Sequence, residues 1–358
     1  MSTAIRPLRP PRPIHQFLQQ TQRRHASSDF SHLTKRRISP VFSTLSPDSS
    51  YRLQTTLADF LPHPPPLTLP SSLQLPPAHH LLYFEPTKLS SELLPDGTNP
   101  DHFPGEPFVR RMWAGGKVLW NHHEEPLTLD GGVGVCAEFI RDVKERDDKV
   151  FVEIERRIAT ASPEELEALQ DAWRDASVKQ DLEHRVRQRL WRDAKEDFGV
   201  ARILESRILV FRLLSRDTHT SSSSSKILNP SIDTPDFTHA FLPTPTLLFR
   251  FSALTFNAHA IHLDPAYAET VEGYRNLLVQ GPLSLTCMLT LLSRHLEATT
   301  KGNEVIRSIE YRNTAPLYCG EEAKFCGKRS GEKKWEVWAQ GPGGGVCVKG
   351  RVRTGERR

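Results

Sequence analysis

The sequence predicts an α+β protein made of two similar antiparallel sheets in tandem, and three patterns support this prediction. The stretch 115–158 holds three extended runs rich in Val, Ile and Phe, separated by turns rich in Gly, Asp or charge, and ILVFRLL (208–214) adds a fourth. The second half repeats this plan over 308–353. Within it, PLYCGEEAKFCGK (316–328) echoes PLTLDGGVGVCAEF (126–139), as expected for an internal repeat.

Length and composition divide the chain into four predicted regions. A chain of 358 residues exceeds the usual size of one domain, so two domains of ordinary size are expected. We predict a targeting segment and disordered leader over 1–40, a first domain over 41–215 and a second over 237–358. The serine-rich, proline-containing stretch 216–236 is predicted to be a flexible linker between them.

A helical insertion, residues 160–198, is predicted inside the first domain. It starts with Ser162 as N-cap, Pro163 at the first helical position and acidic residues in the first turn. Leu166, Leu169 and Trp173 give only a thin apolar stripe, which indicates a helix on the surface. A partner-binding helix is the alternative, and the sequence does not separate the two.

The N-terminal region is basic and free of acidic residues. Residues 1–25 hold five arginines together with Ser, Thr and Gln, a composition typical of a mitochondrial targeting segment. A disordered basic tail is the alternative. Without these arginines the formal net charge falls from +4 to −1, so we expect no nucleic-acid partner.

No stretch of the sequence is predicted to span a membrane. The nearest candidate, 277–292, is shorter than about 20 apolar residues and contains Gln280, Gly281 and Pro282, so we predict a loop that opens a buried helix. The cysteines are scattered and odd in number, which predicts reduced packing residues and no metal site. They are Cys136, Cys287, Cys319, Cys326 and Cys347.

The polar stretch SALTFNAHAIHLDP (252–265) is the strongest candidate for a functional site. It follows the apolar run 246–254, predicted to be a strand, and should form a loop facing the helix that begins at Gly281. A neutral histidine with a pKa near about 6.5 can take up and return a proton at physiological pH. A backbone N–H at a helix start, such as that of Gly281, can stabilise a thioester oxygen that gains enolate charge.

This stretch resembles a known family. FSALTFNAHAIHLDPAYAETVEGYRNLLVQGPL (251–283) is similar to the signature of R-specific enoyl-thioester hydratases and dehydratases, in which Ser-Gly-Asp-x-Asn-Pro-Leu-His precedes a helix that starts at His-Gly. FVRRMWAGGKVLW (108–120) is similar to the first, non-catalytic domain of the two-domain members. The resemblance covers most of 80–355 and is closest to the fungal mitochondrial 3-hydroxyacyl-thioester dehydratases. It implies a double hot dog, two antiparallel sheets each wrapped around a central helix.

Three positions depart from the family pattern. The family's aspartate falls on Asn257, which can orient a water molecule but cannot carry a proton. The histidine before the helix glycine is Gln280, which we expect to contact the substrate. His259 replaces the motif's asparagine and is either a second polar wall of the site or exposed. We interpret these changes as a subfamily trait, with an inactive relative as the alternative.

The resemblance implies a reversible dehydration of (3R)-3-hydroxyacyl thioesters to trans-2-enoyl thioesters. His262 would move the C2 proton to the departing hydroxyl, Asn257 would position the water, and Gly281 would bind the thioester oxygen. No metal or organic cofactor is expected, since the thioester itself acidifies C2. The acyl group would arrive on acyl carrier protein in fatty-acid synthesis in the mitochondrial matrix. The chain should be a monomer or a homodimer.

In the first half, Trp113 with the glycines at 115 and 116 is predicted to open a second sheet-wrapped helix. Packing is the favoured role of this segment, and substrate contact by Trp113 is the alternative. Arg110 and Arg111 could bind phosphopantetheine or an acidic carrier protein, because arginine suits phosphate and carboxylate recognition. A solvated pair is the other interpretation.

Three other functions are compatible with the same residues. A CoA-linked hydratase of short dicarboxylic acyl groups, similar to mesaconyl-CoA hydratases, would prefer CoA over carrier protein. A hot-dog thioesterase would release free thiol. A non-catalytic module would bind acyl thioester without turnover.

Overall fold

The computed structural model describes residues 30–62, 74–213 and 234–357. The N-terminal 29 residues, which carry the predicted targeting segment, lie outside the described residues. Most of the predicted linker, 216–236, lies outside them as well.

The described part of the first half consists of strands, helices and short 3₁₀ turns. The strands and helices are β1 (Val41–Thr44), α1 (Pro47–Leu57), β2 (Arg110–Trp120), β3 (Val133–Arg146), β4 (Lys149–Thr160), α2 (Pro163–Ala172), α3 (Ala176–Leu190) and β5 (Ile203–Arg212). The 3₁₀ turns are Phe30–Lys35, His79–Leu82, Ser90–Glu92 and Pro100–His102.

The described part of the second half repeats this plan and adds a long helix. Its elements are β6 (Phe237–Phe241), α4 (Pro245–Leu254), a 3₁₀ turn (Ala260–His262), α5 (Pro265–Thr270), α6 (Gly281–Thr300), β7 (Glu304–Asn313), β8 (Ala323–Gly331), β9 (Lys334–Gln340) and β10 (Val346–Glu356).

The strands form one ten-stranded sheet in the order β1-β3-β4-β5-β2-β7-β10-β9-β8-β6. Each half therefore has the same internal order, and the two half-sheets join edge to edge where β2 pairs with β7 in antiparallel register. Because this pairing covers one edge of each half-sheet, neither half leaves that edge open to other chains. The predicted tandem of two similar antiparallel sheets is confirmed.

The predicted helix at Trp113 is wrong, because Trp113 and the two glycines after it lie in β2. A Cβ on Gly115 would approach the Tyr311 carbonyl oxygen to 2.2 Å, and one on Gly116 would approach the Ser206 carbonyl oxygen to 2.0 Å. The glycines thus permit close contact between neighbouring strands, and not between a helix and a sheet.

The run TLLFRFSAL is a helix, α4, and not the predicted strand. Thr244 caps it by accepting a hydrogen bond from the Leu247 backbone N–H at 3.2 Å, and Pro245 occupies the first turn. Leu247, Leu248 and Phe251 are buried at helical spacing. Short apolar runs do not separate helix from strand by periodicity alone, and here the Thr-Pro start was the deciding signal.

Two other expectations for the first half are adjusted by the structure. The leader was predicted to reach residue 40, whereas Phe30, Leu33 and Ile38 pack into a hydrophobic cluster with β4 and β5. The helix start at Ser162 is confirmed, with its capping box to Glu165. The predicted apolar stripe is wrong at Trp173, which is 73% exposed, and α2 and α3 together pack on β3 and β4 mainly through α3.

Helix α6 forms the centre of the second half. The predicted helix start at Gly281 is confirmed, and the helix buries apolar side chains on most of its surface. All five cysteines are buried and free. Within the described residues, no helix is long and apolar enough to cross a membrane. In that same part of the chain, no group of three or more His, Cys, Asp and Glu side chains could hold a metal ion.

Candidate active site

A cavity of about 1210 Å³ lies between the two halves of the molecule. The first half contributes residues 97–99 and part of β2 to its wall, and the second half contributes 255–259 and the beginning of α6. Six of the seven predicted site residues line this cavity, whereas Gln280 does not. The six are His262, Asn257, Gly281, His259, Trp113 and Arg111.

The loop after α4 is held by its own backbone. The Asn257 N–H donates to the Ser252 carbonyl at 2.8 Å, and the His259 N–H donates to the Asn257 Oδ1 at 3.1 Å. These bonds form an Asx-type turn that brings both histidines to the cavity wall. Because the Asn257 Oδ1 accepts from the backbone, the Asn257 Nδ2 remains as the donor for a bound molecule.

His262 is buried in one defined protonation state. Its Nδ1 lies 2.8 Å from the Leu278 carbonyl oxygen. A carbonyl can only accept a hydrogen bond, so Nδ1 carries the proton and Nε2 keeps its lone pair. Burial, with a smaller contribution from the positive charge of Arg111, lowers the pKa of His262 to about 4. The imidazole is therefore neutral at pH 7 and can accept a proton at Nε2.

His259 forms a second polar part of the cavity wall and is buried. Its ring centroid lies 5.4 Å from that of His262, with the rings almost perpendicular. Burial, and then the charges of His262 and Arg111, hold the pKa of His259 well below its usual range. Both histidines are thus neutral acceptors on one wall of the cavity.

Gly281 places the start of α6 at the cavity. Backbone N–H groups in the first turn of a helix have no partner inside the helix and carry its positive dipole end. A Cβ on Gly281 would lie 2.9 Å from the Asn313 Nδ2, which itself donates to the Trp113 carbonyl at 2.7 Å. A larger residue would displace this bridge between β2 and β7, so glycine suits both the packing and access to the N–H.

Gln280 has a structural role, which corrects its assignment as a substrate contact. Its side chain is fully buried, and Nε2 donates to the Leu248 carbonyl and the Ser252 Oγ, both at 2.9 Å. Gln280 thus fixes α4 against the start of α6 and supports the loop that follows α4.

Trp113 and Arg111 extend the site into the first half. The Trp113 indole N–H donates to the Gly115 carbonyl at 2.9 Å, and Arg111 donates to the Asn99 carbonyl at 3.1 Å. Burial lowers the pKa of Arg111. Arg110 is not a solvated partner of Arg111, because its Nε forms an ion pair with Glu272 at 3.1 Å.

Asp96 and Glu272 are buried carboxylates beside the site that the sequence did not indicate. Asp96 Oδ2 lies 3.6 Å from the His259 Nε2. Burial raises the pKa of Glu272, although Arg110 opposes this effect. The only local signal at Asp96 is an Asp-Gly turn, and no local pattern predicts that this turn contacts the other half.

The fold defines a class, the hot-dog proteins, which includes MaoC-like dehydratases. A MaoC-like dehydratase from Phytophthora capsici matches 92% of this chain and 100% of its own, with a TM-score of 0.58 and 14% identity. HtdX of Mycobacterium tuberculosis matches 88% of this chain and 99% of its own, with a TM-score of 0.51 and 10% identity. The predicted α+β double hot-dog fold is confirmed, and its central helix is the long α6 in the second half but only the short 3₁₀ turn His79–Leu82 in the described part of the first.

The family model for hydroxyacyl-thioester dehydratase type 2 matches residues 78–177 and 172–319. The chain belongs to this family and is an enzyme that acts on acyl thioesters. It is 28% identical to the mitochondrial hydroxyacyl-thioester dehydratase type 2 of Schizosaccharomyces pombe, over 78% of this chain and 86% of the relative. It is also 28% identical to the mesaconyl-C(4)-CoA hydratase of Chloroflexus aurantiacus, over 78% of this chain and 84% of that relative.

Proposed function

We propose that the enzyme interconverts (3R)-3-hydroxyacyl and trans-2-enoyl thioesters, with His262 as the proton carrier. The observation that supports this role is the fixed Nδ1–H of His262, donated to Leu278, which leaves Nε2 as a base beside the start of α6.

In the dehydration direction, His262 Nε2 removes a proton from C2 of the substrate. The electrons of that C–H bond move toward the thioester carbonyl, whose oxygen gains enolate charge and accepts a hydrogen bond from the Gly281 N–H. The C3–O bond then breaks, and the proton on His262 passes to the departing hydroxyl, which leaves as water. His262 is neutral again after each turnover, and the thioester itself acidifies C2.

Asn257 and the first half assist this reaction. The Asn257 Nδ2 donates to the oxygen that becomes water, and cannot itself supply a proton. The first domain, 41–215, acts without its own proton carrier and completes the cavity through Trp113 and Arg111. One chain then contains the two hot-dog units of a complete site, which is compatible with a monomer or a homodimer.

The substrate would be carried by acyl carrier protein in mitochondrial fatty-acid synthesis. The arginine-rich leader and the mitochondrial relatives from two yeasts support this location, with the matrix as the compartment. A fluorescent fusion of residues 1–40 should enter mitochondria, and a chain lacking residues 1–25 should remain in the cytosol. A diffuse signal from the leader fusion would contradict the location and leave the reaction unaffected.

A second candidate substrate is a short dicarboxylic acyl group on CoA. Arg111 supports it, because a half-buried guanidinium on the cavity wall could bind a second carboxylate. Turnover of matched CoA and carrier-protein thioesters, with and without that carboxylate, separates the two substrate classes.

The reaction itself is tested with purified protein and crotonyl thioesters of CoA and carrier protein. We expect loss of enoyl absorbance without release of free thiol, and a decrease of at least about 10²–10⁴-fold for His262→Ala. His184→Ala, at an exposed position of α3, is the matched control. Thiol release would indicate a thioesterase, and binding without turnover a non-catalytic module. An active His262→Ala beside an inactive His259→Ala would disprove the assignment of the base.

A further inference from the structure

The loop of the second half lacks a carboxylate, whereas the first half places one next to it. Asn257 occupies the position of the motif's aspartate, and its Oδ1 accepts from the His259 backbone. Asp96 lies in the segment between the 3₁₀ turns Ser90–Glu92 and Pro100–His102, and is buried against the same loop.

The orientation of the Asp96 carboxylate is fixed by its own turn. Asp96 Oδ1 accepts hydrogen bonds from the Thr98 N–H at 2.9 Å and the Thr98 Oγ1 at 2.7 Å. Asp96 Oδ2 remains, and it lies 3.6 Å from the His259 Nε2. One carboxylate oxygen thus holds the turn, and the other is directed to the histidine.

The backbone of this turn is also attached to the loop that carries the histidines. The Ala260 N–H donates to the Asp96 carbonyl at 2.9 Å. Gly97 has a φ of +81°, and a Cβ there would approach the Ala258 carbonyl oxygen to 2.1 Å. Only glycine combines a positive φ with the absence of a Cβ, so Gly97 allows direct contact between the two loops.

His259 needs a partner at this point. Its Nε2 is buried and has no hydrogen-bond partner among the residues that the structure describes, an arrangement that costs free energy in a folded protein. The distance of 3.6 Å to Asp96 Oδ2 is slightly too long for a hydrogen bond. Catalytic hydrogen bonds are often long without substrate and shorten in the complex, and a small loop movement would close this one.

We propose that Asp96 is a positioning residue whose carboxylate accepts the Nε2 proton of His259. The Nδ1 lone pair of His259 is then available to the oxygen that leaves as water. The first half thereby supplies the carboxylate that Asn257 of the second half does not provide. This inference rests on the proposed dehydratase reaction, in which His262 moves the proton and His259 orients the oxygen.

Several charged groups surround this pair. Arg111 of β2 and His262 both oppose a positive charge on His259. Glu272 and Tyr267 lie near Asp96 on the other side, and Arg110 is paired with Glu272. Because an adjacent carboxylate favours the protonated imidazole, loss of the Asp96 charge should make His259 still less basic.

Asp96→Asn is the decisive variant, because it removes the charge and presents an amide N–H to His259 Nε2. His259 should change from the Nε2–H to the Nδ1–H tautomer, which ¹⁵N NMR of the imidazole rings reports directly. We expect kcat to fall by about tenfold or more with KM nearly unchanged. A histidine that is oriented by a carboxylate loses much of its contribution to kcat when it adopts the wrong tautomer. Asp101→Asn is the matched control, a carboxylate of the adjacent 3₁₀ turn Pro100–His102 that pairs with Lys88 at 3.0 Å.

A second comparison separates positioning from a structural effect. In a His259→Ala background, Asp96→Asn should lower kcat by less than about twofold, since interacting residues are non-additive. The proposal is overturned if Asp96→Asn leaves the His259 tautomer unchanged, if kcat stays at the parent value, or if both backgrounds lose activity equally. If the parent protein shows no hydratase turnover, the proposed function fails, while the NMR comparison still decides the role of Asp96.

Discussion

The two halves share a strand order but differ in what each sheet encloses. Two isolated β-bridges, Gln74 with Thr128 and Leu278 with Tyr318, occupy equivalent positions in the repeat. Counting from these bridges, the first turns of the 20-residue helix α6 correspond in the first half to the 3₁₀ turn His79–Leu82, and Ser90–Glu92 is the next short turn. The same topology thus encloses a long helix in one half and short 3₁₀ turns in the other.

The sequences after the two bridges explain this difference. In the second half Gly281-Pro282 is followed by a long apolar run, which continues as a buried helix. In the first half the corresponding segment PPAHHLLYFEP contains proline at both ends, and Pro86 disfavours helical continuation. The chain instead crosses to the second half, where residues 96–99 meet the histidine loop.

The buried side chains differ as well. The second half encloses mainly apolar residues around α6. The first half buries an ion-pair network in which Arg156 contacts Glu205 at 2.8 Å and Glu138 at 2.7 Å. Burial alone would raise the pKa of Glu138, yet Arg156 and His102 lower it to about 2. The first half, which encloses no long helix among its described residues, therefore buries charge pairs, whose disruption is costly once charges are buried.

Equivalent leucines in the two halves test whether the 3₁₀ turn His79–Leu82 is packed as tightly in its half as α6 is in the other. Leu81 is 1% exposed and Leu285, its counterpart in α6, is 0% exposed. Each change to alanine should lower the free energy of unfolding by about 2–5 kcal/mol, because both leave a cavity. Leu81→Ala should be the smaller effect, since one turn can relax more than a long helix. Urea unfolding with unchanged m-values is the measurement.

Leu89→Ala is the matched control for this pair, at a position that is 69% exposed. It should change the free energy of unfolding by less than about 0.5 kcal/mol. If Leu81→Ala resembled this control, the turn would be a loosely held connection, and the comparison between the halves would fail.

Local signals in the sequence predicted a large part of this architecture. The strand runs, the Ser-Pro start of α2 and the Gly-Pro start of α6 each depend on residues close in sequence. The polar loop with His259 and His262 is visible for the same reason, whereas its catalytic role is what the resemblance to the family implies. The run at α4 was ambiguous because short apolar segments fit a helix or a strand.

Contacts between distant segments were not predictable from local signals. Gln280 was assigned to the substrate from its position in a motif, whereas packing against α4 determines its orientation. Asp96 is separated from the histidine loop by more than half of the first domain. Its proximity to His259 follows from the pairing of β2 with β7, which no single segment encodes.

The two halves also differ in their buried histidines, which should have a smaller, pH-dependent effect on the free energy of unfolding. In the first half, His79 accepts or donates a hydrogen bond with the Ser50 hydroxyl at 2.6 Å, and burial lowers its pKa to about 3. In the second half, burial lowers the pKa of His262 to about 4 and that of His259 well below its usual range. Among the buried histidines of the described residues, two in the second half and one in the first thus have a lowered pKa.

The sign of the effect follows from proton uptake. Each of these histidines has an unfolded-state pKa near about 6.5 and a lower pKa in the folded protein, so only the unfolded chain binds protons as the pH falls. Stability should decrease between pH 7 and 5 by at most about 1.4 kcal/mol per pH unit for each histidine. Urea unfolding at several pH values across this range gives the slope of the free energy of unfolding against pH. Relative to the parent, this slope should decrease more in the double variant His259→Gln/His262→Gln than in His79→Gln. His184→Gln controls for the substitution itself, and equal slopes for the parent and the double variant would show that His259 and His262 are not held neutral by burial.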